Sequence, residues 1–533
     1  MSRRWLAGAL LLGAALRVYP IWFGLPFLEA RPDEETAIAH ANLVLRGDLN
    51  PHFFHWPSFV FYLFAAWLRV ASWAARPAGV TALSPNAQYL LARALVAAAG
   101  TLTIAVVFRL GRRLAGAEVG AAAACLLAVA TLHVRDSHFA MTDVLMTLLV
   151  TLSLAGIVQA LDLARDGERR RAHRWFAAAG FVGGLAASTK YSAAAIVAAM
   201  AAAPIVLAAR TRRVAVAPVV LFAAAFAAGF LAGTPYAILD ARAFLDGVAV
   251  DVLHLSRGHS GGLGVGWIYH ATHSLPLGVG LPIAVAAAIG FVFLVRDHRP
   301  GGVIVTAFAV AFYAAIGEGR TVFFRYVLPI VPVMCLSAAV AARHLSGRLP
   351  LLPRSVGFGA LVALLAAPPL VNSVWLDVVL ARTDTRVLAG RWLAQHVTPD
   401  ESLFDAGGVY AQADVDGAHA RVHVWTTNGY DPDIDAFRNA GGRIPVWIVM
   451  PESPLPVYTD VPDGLRRLVA REYVLAYVER GTRGAIDSEG YDPDDAFFVP
   501  FSGFRRIIRP GPTILIYRVR ASQALAHSPA TVR

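Results

Sequence analysis

Apolar and polar positions alternate along this chain in long blocks, with little of the short-period mixing of a water-soluble fold. Eleven runs read as membrane-crossing helices, which need roughly 20 mainly apolar residues: 5–28, 88–110, 117–133, 144–163, 174–189, 191–209, 214–233, 275–295, 301–317, 326–345 and 355–375. A twelfth apolar run, "PSFVFYLFAAWLRVASWAA" at 57–75, is treated differently. If it crossed, the Arg clusters at 109–113, 165–174 and 210–213 would face away from the side occupied by Arg3 and Arg4. Leaving it uncrossed places all of them on one side, as the bias of basic residues toward cytoplasmic loops requires. Residues 29–87 therefore form one long outer loop with two membrane-surface helices, the second starting at Pro57. A second long outer loop covers 234–274.

From about residue 380 the blocks give way to Asp-rich, Pro- and Gly-punctuated sequence. Short apolar runs, "RVHVWT", "IPVWIVM" and "PTILIYRVR", mix there with helical stretches such as 383–397, the pattern of a small α/β domain outside the membrane. The expected fold class is an α-helical polytopic membrane protein with about eleven transmembrane helices, residues 1–375, followed by an extramembrane α/β domain, 376–533. The N-terminal stretch resembles a signal peptide but lacks a small-residue cleavage site before "RPDEE", so it is read as a retained first helix.

Composition agrees. Of the 533 residues 57% are hydrophobic and only 16% charged, too few charges for a water-facing surface. The net charge of +11 raises nucleic acid as a partner, but the arginines lie in short clusters between apolar runs, "RLGRR", "RDGERRRAHR", "RTRR" and "RDHR". That is a topology signal, and no nucleic-acid partner is expected. The two cysteines, Cys125 and Cys335, sit in apolar runs and offer neither a disulfide framework nor a CxxC metal site.

The polar residues that do approach the membrane collect on the outer side. The first loop carries Asp33, Glu34 and Glu35 at the start of a helix, where carboxylates also suit the helix dipole, and then His52 and His55 before Pro57. The next outer loop, "HVRDSHFAMTD", sets His133, Arg135, Asp136, His138 and Asp143 close together; its plain reading is a solvated turn with Asp143 opening a helix. Lys190, the only lysine in the chain, lies at the outer junction of two helices, and a snorkelling role is its simplest use. A chain that otherwise uses arginine keeps a compact point charge here. Arg320, Arg325 and Tyr326 stand at the mouth of a helix containing Pro329 and Pro332, and Arg17 and Arg93 lie near outer helix ends. Carboxylates and cations gathered at one face describe a site for an anionic lipid headgroup.

A sugar linked through phosphate to a polyprenyl chain fits this set. Its phosphate is a competent leaving group that needs neutralising by Lys or Arg, and the acceptor hydroxyl needs a carboxylate to take its proton. Asp33 is the candidate base, with Glu34 assisting or capping the helix. Lys190 and Arg325 are candidates for the phosphate, with Tyr191 and Tyr326 lining the pocket.

In order along the chain, "RPDEE", "HWPSFVFYL", "RALVAAAGTLTIAVVFRLGRRLAG", "RDSHFAMTDVLMTLLVTLSL", "GLAASTKYSA", "TPYAILD" and "FFRYVLPIVP" resemble the bacterial branch of the GT-C glycosyltransferases. These are the dolichyl-phosphate-mannose protein mannosyltransferase-like enzymes, which include the aminoarabinose transferase of lipid A. The resemblance spans roughly residues 5–345. It implies an inverting, multi-pass transferase of the bacterial inner membrane that uses a polyprenyl-phosphate sugar on the periplasmic side, its N-terminus cytoplasmic and its C-terminal domain periplasmic. The family's first-loop acidic catalyst falls on Asp33 and, less directly, on Glu34. Many relatives have Lys-Pro-Pro or His-Pro-Pro before the second surface helix; this chain has His55, Trp56 and Pro57, which shifts the phosphate role toward Lys190 and Arg325.

Two other classes stay open, a lipid-linked oligosaccharide flippase or transporter and a surface-polysaccharide ligase. A divalent metal on Asp33, Asp136 and Asp143 with His133 or His138 is possible but not favoured, because the cations already present neutralise a phosphate; no cofactor is expected. His254, His259, His270 and His273 are read as surface residues of a mobile Gly-rich acceptor loop, and "DPDID" and "YDPDD" as turns. The acceptor is a lipid, a glycan or a protein; the residues fix neither it nor the sugar.

Overall fold

The computed structural model describes residues 2–211, 216–259, 262–297, 300–348, 353–415, 421–424, 444–484 and 487–520. The expected "DPDID" turn, residues 212–213 and 298–299 of the Arg clusters and residues 260–261 of the Gly-rich loop lie outside them. Contacts divide the chain into two units. The first comprises Met1–Ile21 and Asp33–Val374, the second Trp22–Pro32 and Trp375–Arg533.

The first unit is helical: α1 (Ser2–Val18), α2 (Glu34–Leu45), α3 (Phe59–Ala75), α4 (Pro85–Ala115), α5 (Ala117–Val129), α6 (Thr131–Asp136), α7 (Thr142–Arg165), α8 (Arg169–Ala187), α9 (Ile196–Thr211), α10 (Val216–Gly233), α11 (Tyr236–Leu239), α12 (Ala241–Arg257), α13 (Gly266–Tyr269), α14 (Leu281–Arg296), α15 (Pro300–Gly317), α16 (Val331–Ser346) and α17 (Arg354–Leu380), the last running into the second unit. Each of the eleven expected spans finds a helix at its place. Among the described residues seven helices are long and apolar enough to cross a membrane, and Ala117–Val129 and Tyr191–Val206 are shorter apolar helices.

Three boundaries differ from expectation for identifiable reasons. The first helix ends at Val18 instead of 28, because Pro20 lacks an N–H and its ring excludes the preceding turn. The run 117–133 breaks at Ala130, which is extended (φ −61°, ψ 112°). There the fully buried Arg17 guanidinium donates to the carbonyls of Leu127 and Ala128, both at 2.9 Å, taking up helix-end acceptors that would otherwise be orphaned. The 234–274 segment, expected as a mobile loop, contains α11, α12 and α13 and a π-helical turn at His270–Ser274. His270 is buried there, against the surface role expected of it.

The second unit has a five-stranded mixed sheet in the order β2-β1-β3-β5-β4, with β1 Ser402–Asp405, β2 Arg421–Val424, β3 Trp447–Glu452, β4 Tyr473–Glu479 and β5 Thr513–Val519. β1 pairs in parallel with β2 and β3, and β5 runs antiparallel between β3 and β4. The period of two along a strand gives each face its own core. Leu403, Trp447, Val449 and Ile516 pack on α18 (Thr385–His396) through Ala389 and Leu393. Phe404, Ile448 and Met450 pack on the helix Asp463–Glu472 through Leu465, Leu468 and Val469. Residues 22–32 join this unit through buried charges. Arg31 pairs with Asp495 at 2.7 Å, and Arg386, paired with Asp384, donates to the Ala30 carbonyl at 3.2 Å. The "YDPDD" turn is thus a turn, but a buried one that supplies this carboxylate.

Candidate active site

Asp33 occupies the N-cap position of α2 with φ 73°, in the left-handed region, and its side chain makes no capping hydrogen bond. Aspartate is among the few residues that tolerate this backbone. The twist turns the carboxylate away from the helix end: Oδ2 accepts from Arg325 Nη2 at 3.2 Å, with 31% of the Asp33 side chain still exposed. Arg325 sits in the 3-10 turn Phe324–Ile330 that leads into α16, its guanidinium 4.0 Å over the Phe323 ring.

Glu34, one residue on, is placed quite differently. It is wholly buried, pairs with Arg93 of α4 through both carboxylate oxygens and accepts the Ala140 N–H at 2.7 Å. Arg93 also donates to the Ile21 carbonyl at 2.9 Å. The pair fastens the start of α2 to α4 and to the loop before α7.

Lys190 follows α8 in extended backbone (φ −155°). Its Nζ reaches Asp143 Oδ1, at the first turn of α7, at 2.7 Å and lies 4.5 Å from the centre of the Tyr326 ring. The loop that presents it is knitted to its surroundings. Ser188 Oγ meets Thr234 Oγ1 at 2.6 Å, Thr234 accepts the Ser58 N–H at 3.2 Å, and the Phe59 N–H donates to Ser188 O at 3.1 Å. Tyr191 donates to the Phe54 carbonyl at 2.8 Å. Through Tyr326 the two ion pairs become neighbours, since the charges of Arg325, Asp251, Asp143 and Asp33 all act on its hydroxyl.

The rest of the "HVRDSHFAMTD" loop departs from the solvated turn expected of it. Arg135, Asp136 and His138 are buried. Arg135 and Asp136 pair at 3.3 Å, and His138 lies between the carbonyls of Val134 and Tyr19, at 3.0 and 2.9 Å. Through His138 the stretch after α6 is tied to Tyr19, just past the end of α1. His55 is exposed, in ring contact with Phe53 at 4.9 Å. Among the described residues no group of three or more His, Cys, Asp or Glu side chains is arranged to hold a metal ion.

One polar residue at the site had gone unread in the sequence. Asp251 stands on the stripe of α12 that faces inward. Phe244 packs on Phe54 and Tyr191, Gly247 lies against Phe54, the His254 carbonyl takes the Thr321 hydroxyl, and the Leu255 carbonyl takes the N–H of Arg320 at 2.8 Å. Positions 244, 247, 251, 254 and 255 share one helix face. Burial pushes the Asp251 carboxyl above its ordinary range, and the charges of Lys190, His254 and His55 pull it back. The stripe was the available signal, a carboxylate set among packing residues; the apolar residues on the opposite face, Leu245 and Val252, obscured it.

Residues 70–237 match the profile of the dolichyl-phosphate-mannose-protein mannosyltransferase family, a stretch that contains Arg93, Asp143 and Lys190 but not Asp33 or Arg325. No curated protein matches the chain. Among solved structures, ArnT from Cupriavidus metallidurans bound to undecaprenyl phosphate aligns over 96% of this chain and 97% of its own, at 15% identity and a TM-score of 0.51. The Archaeoglobus fulgidus oligosaccharyltransferase tethered with an acceptor peptide aligns over 84% of this chain and 69% of its own, at 14% identity and a TM-score of 0.56. With the apo form of that enzyme the match covers 75% of this chain at 16% identity and a TM-score of 0.52, and spans only 58% of the archaeal chain. The chain thus shares its fold with these proteins, carries within its first unit a stretch that matches the mannosyltransferase profile, and has the apolar helices of a multi-pass membrane protein.

Proposed function

We propose that this chain is an inverting glycosyltransferase that moves a sugar from a polyprenyl-phosphate donor to an acceptor on the periplasmic side of the bacterial inner membrane. The observation that carries the reading is the pair of neighbouring ion pairs, Asp33–Arg325 and Lys190–Asp143, which meet at Tyr326. The fold shared with ArnT, whose structure holds undecaprenyl phosphate, supports it.

In this reading the acceptor oxygen attacks the anomeric carbon opposite the phosphate, and its proton passes to the Asp33 carboxylate. The bond from the anomeric carbon to the phosphate oxygen breaks, and the charge left on the polyprenyl phosphate is met by Lys190 and Arg325. Glu34, with both oxygens engaged, positions Asp33 and takes no proton; Arg93 holds Glu34. Asp143 orients Lys190, and Tyr191 and Tyr326 wall the pocket. His55 lies at its rim, while Arg135, Asp136 and His138 form the frame beneath.

Purified wild type, Asp33→Asn and Lys190→Met are compared for release of polyprenyl phosphate from a panel of lipid-linked sugars, with membrane lipid or cell-wall extract as acceptor. The expected result is donor consumption by wild type and loss of at least about 100-fold in turnover for Asp33→Asn with donor still bound. Lys190→Met weakens donor binding, and Lys190→Arg restores part of it. Normal turnover by Asp33→Asn sinks the base assignment. Binding of lipid-linked glycan by wild type without consumption of any donor replaces the transferase with a carrier.

A further inference from the structure

Among the described residues the candidate site brings together three carboxylates, Asp33, Asp143 and Asp251, and two permanent cations, Lys190 and Arg325. Asp33 and Asp143 each have a direct cationic partner. Asp251 adds a further negative charge from α12, whose Phe244 packs on Tyr191 beside Lys190. An excess carboxylate is poor design for a site whose whole task is to hold phosphate tightly. It suits a site that must tell two phosphates apart.

On the transferase reading, on which this inference rests, the donor is a phosphodiester with one negative charge. The product is a phosphomonoester, which near neutral pH carries between one and two. A fixed negative charge beside the phosphate penalises the second charge in addition to the first. We propose that Asp251 is a specificity residue which, from the inward stripe of α12, weakens the hold of Lys190 on the product monoester more than on the donor diester and so favours product release.

The stripe makes the placement specific. Phe244 and Gly247 fix one end of α12 on Phe54 and Tyr191, and the hydrogen bonds of Thr321 and Arg320 to the His254 and Leu255 carbonyls fix the other. The carboxylate lies between them on the same face, where the charge of Lys190 acts on it. His55 and His254 also act on it and would temper its charge when protonated.

Binding alone tests this, without turnover. The full chain in nanodiscs is titrated with a polyprenyl monophosphate and with its methyl diester, for wild type, Asp251→Asn and the charge-keeping Asp251→Glu. Asp251→Asn is expected to tighten the monoester about tenfold and the diester about threefold or less, with Asp251→Glu close to wild type. Equal tightening of both ligands, or of neither, overturns the proposal. If Asp251→Asn does not fold, Asp251→Ser takes its place in the same comparison. Failure of wild type to bind either lipid counts against the transferase reading instead, so the two ideas fail separately.

Discussion

Asp33 and Glu34 are adjacent acids with opposite surroundings, and their substitutions separate two costs. Glu34→Gln leaves the buried Arg93 guanidinium without its charge partner, which is expected to cost about 3–5 kcal/mol and to lower the thermal midpoint in detergent sharply. Asp33→Asn keeps a residue that accepts the left-handed backbone and is expected to melt within about 0.5 kcal/mol of wild type. Asp33→Ala meets the same φ of 73° without a tolerant side chain, and an intermediate loss of about 1 kcal/mol is expected. A midpoint for Glu34→Gln equal to that of Asp33→Asn refutes the division. The sequence announced the two acids at a helix start, but not which one faces a partly exposed cation and which is sealed. That depends on Arg325 and Arg93, 292 and 59 residues away. The same blindness explains Arg135, Asp136 and His138, whose polarity reads as water contact until carbonyls and neighbouring charges supply a dry alternative.

At the scale of elements, the approach of α8 to α10 decides where Lys190 is delivered. Glycines spaced four apart on each helix let the two backbones meet. A Cβ added at Gly184 would lie 2.0 Å from the Phe226 carbonyl oxygen, and one at Gly229 would lie 2.1 Å from that of Phe181. Gly184→Val is therefore expected to part the helices, to displace the Ser188–Thr234 hydrogen bond and, on the proposed function, to weaken donor binding at least about tenfold. Donor affinity and thermal midpoint, measured together, check this; unchanged affinity in a folded variant argues against it. The eleven helices were legible because long apolar blocks have few alternatives in a bilayer. The helices of the 234–274 segment were not, since "RGHSGGLGVGW" dominated its reading and α12 carries apolar residues on both faces.

The molecule comprises two units, and the sheet of the second adds a pH dependence of its own. Asp405, at the end of the interior strand β1, accepts the N–H groups of Gly407 and Ala413 at 3.0 and 2.8 Å. Burial nonetheless pushes its carboxyl up to about 7 from the ordinary 3.8, against the pull of those two bonds. The folded group then holds its proton across a range in which the unfolded one releases it. The stabilisation is complete below about pH 4 and is lost as pH rises to about 7, by up to roughly 4 kcal/mol. Thermal midpoints from pH 4.5 to 7.5 are expected to fall relative to those of Asp405→Asn, in which the slope from this group is gone; parallel curves for the two proteins would refute the assignment. The α/β character of this unit was readable from its short apolar runs. Its membership was not, because nothing local in "WFGLPFLEARP" indicates partners beyond residue 375.

That discontinuity sets an order of events at the ribosome. Residues 22–32 emerge roughly 340 residues before the rest of their unit, an interval of tens of seconds at about 5–20 residues per second. Until Asp495 has been made, Arg31 lacks this partner, and the stretch that immediately precedes Asp33 waits as nascent chain while the membrane helices are inserted behind it. Arrested chains of increasing length should become protected from protease at residues 22–32 only once residue 495 is clear of the exit tunnel. The emergence of Asp495 then serves as the signal that orders this segment.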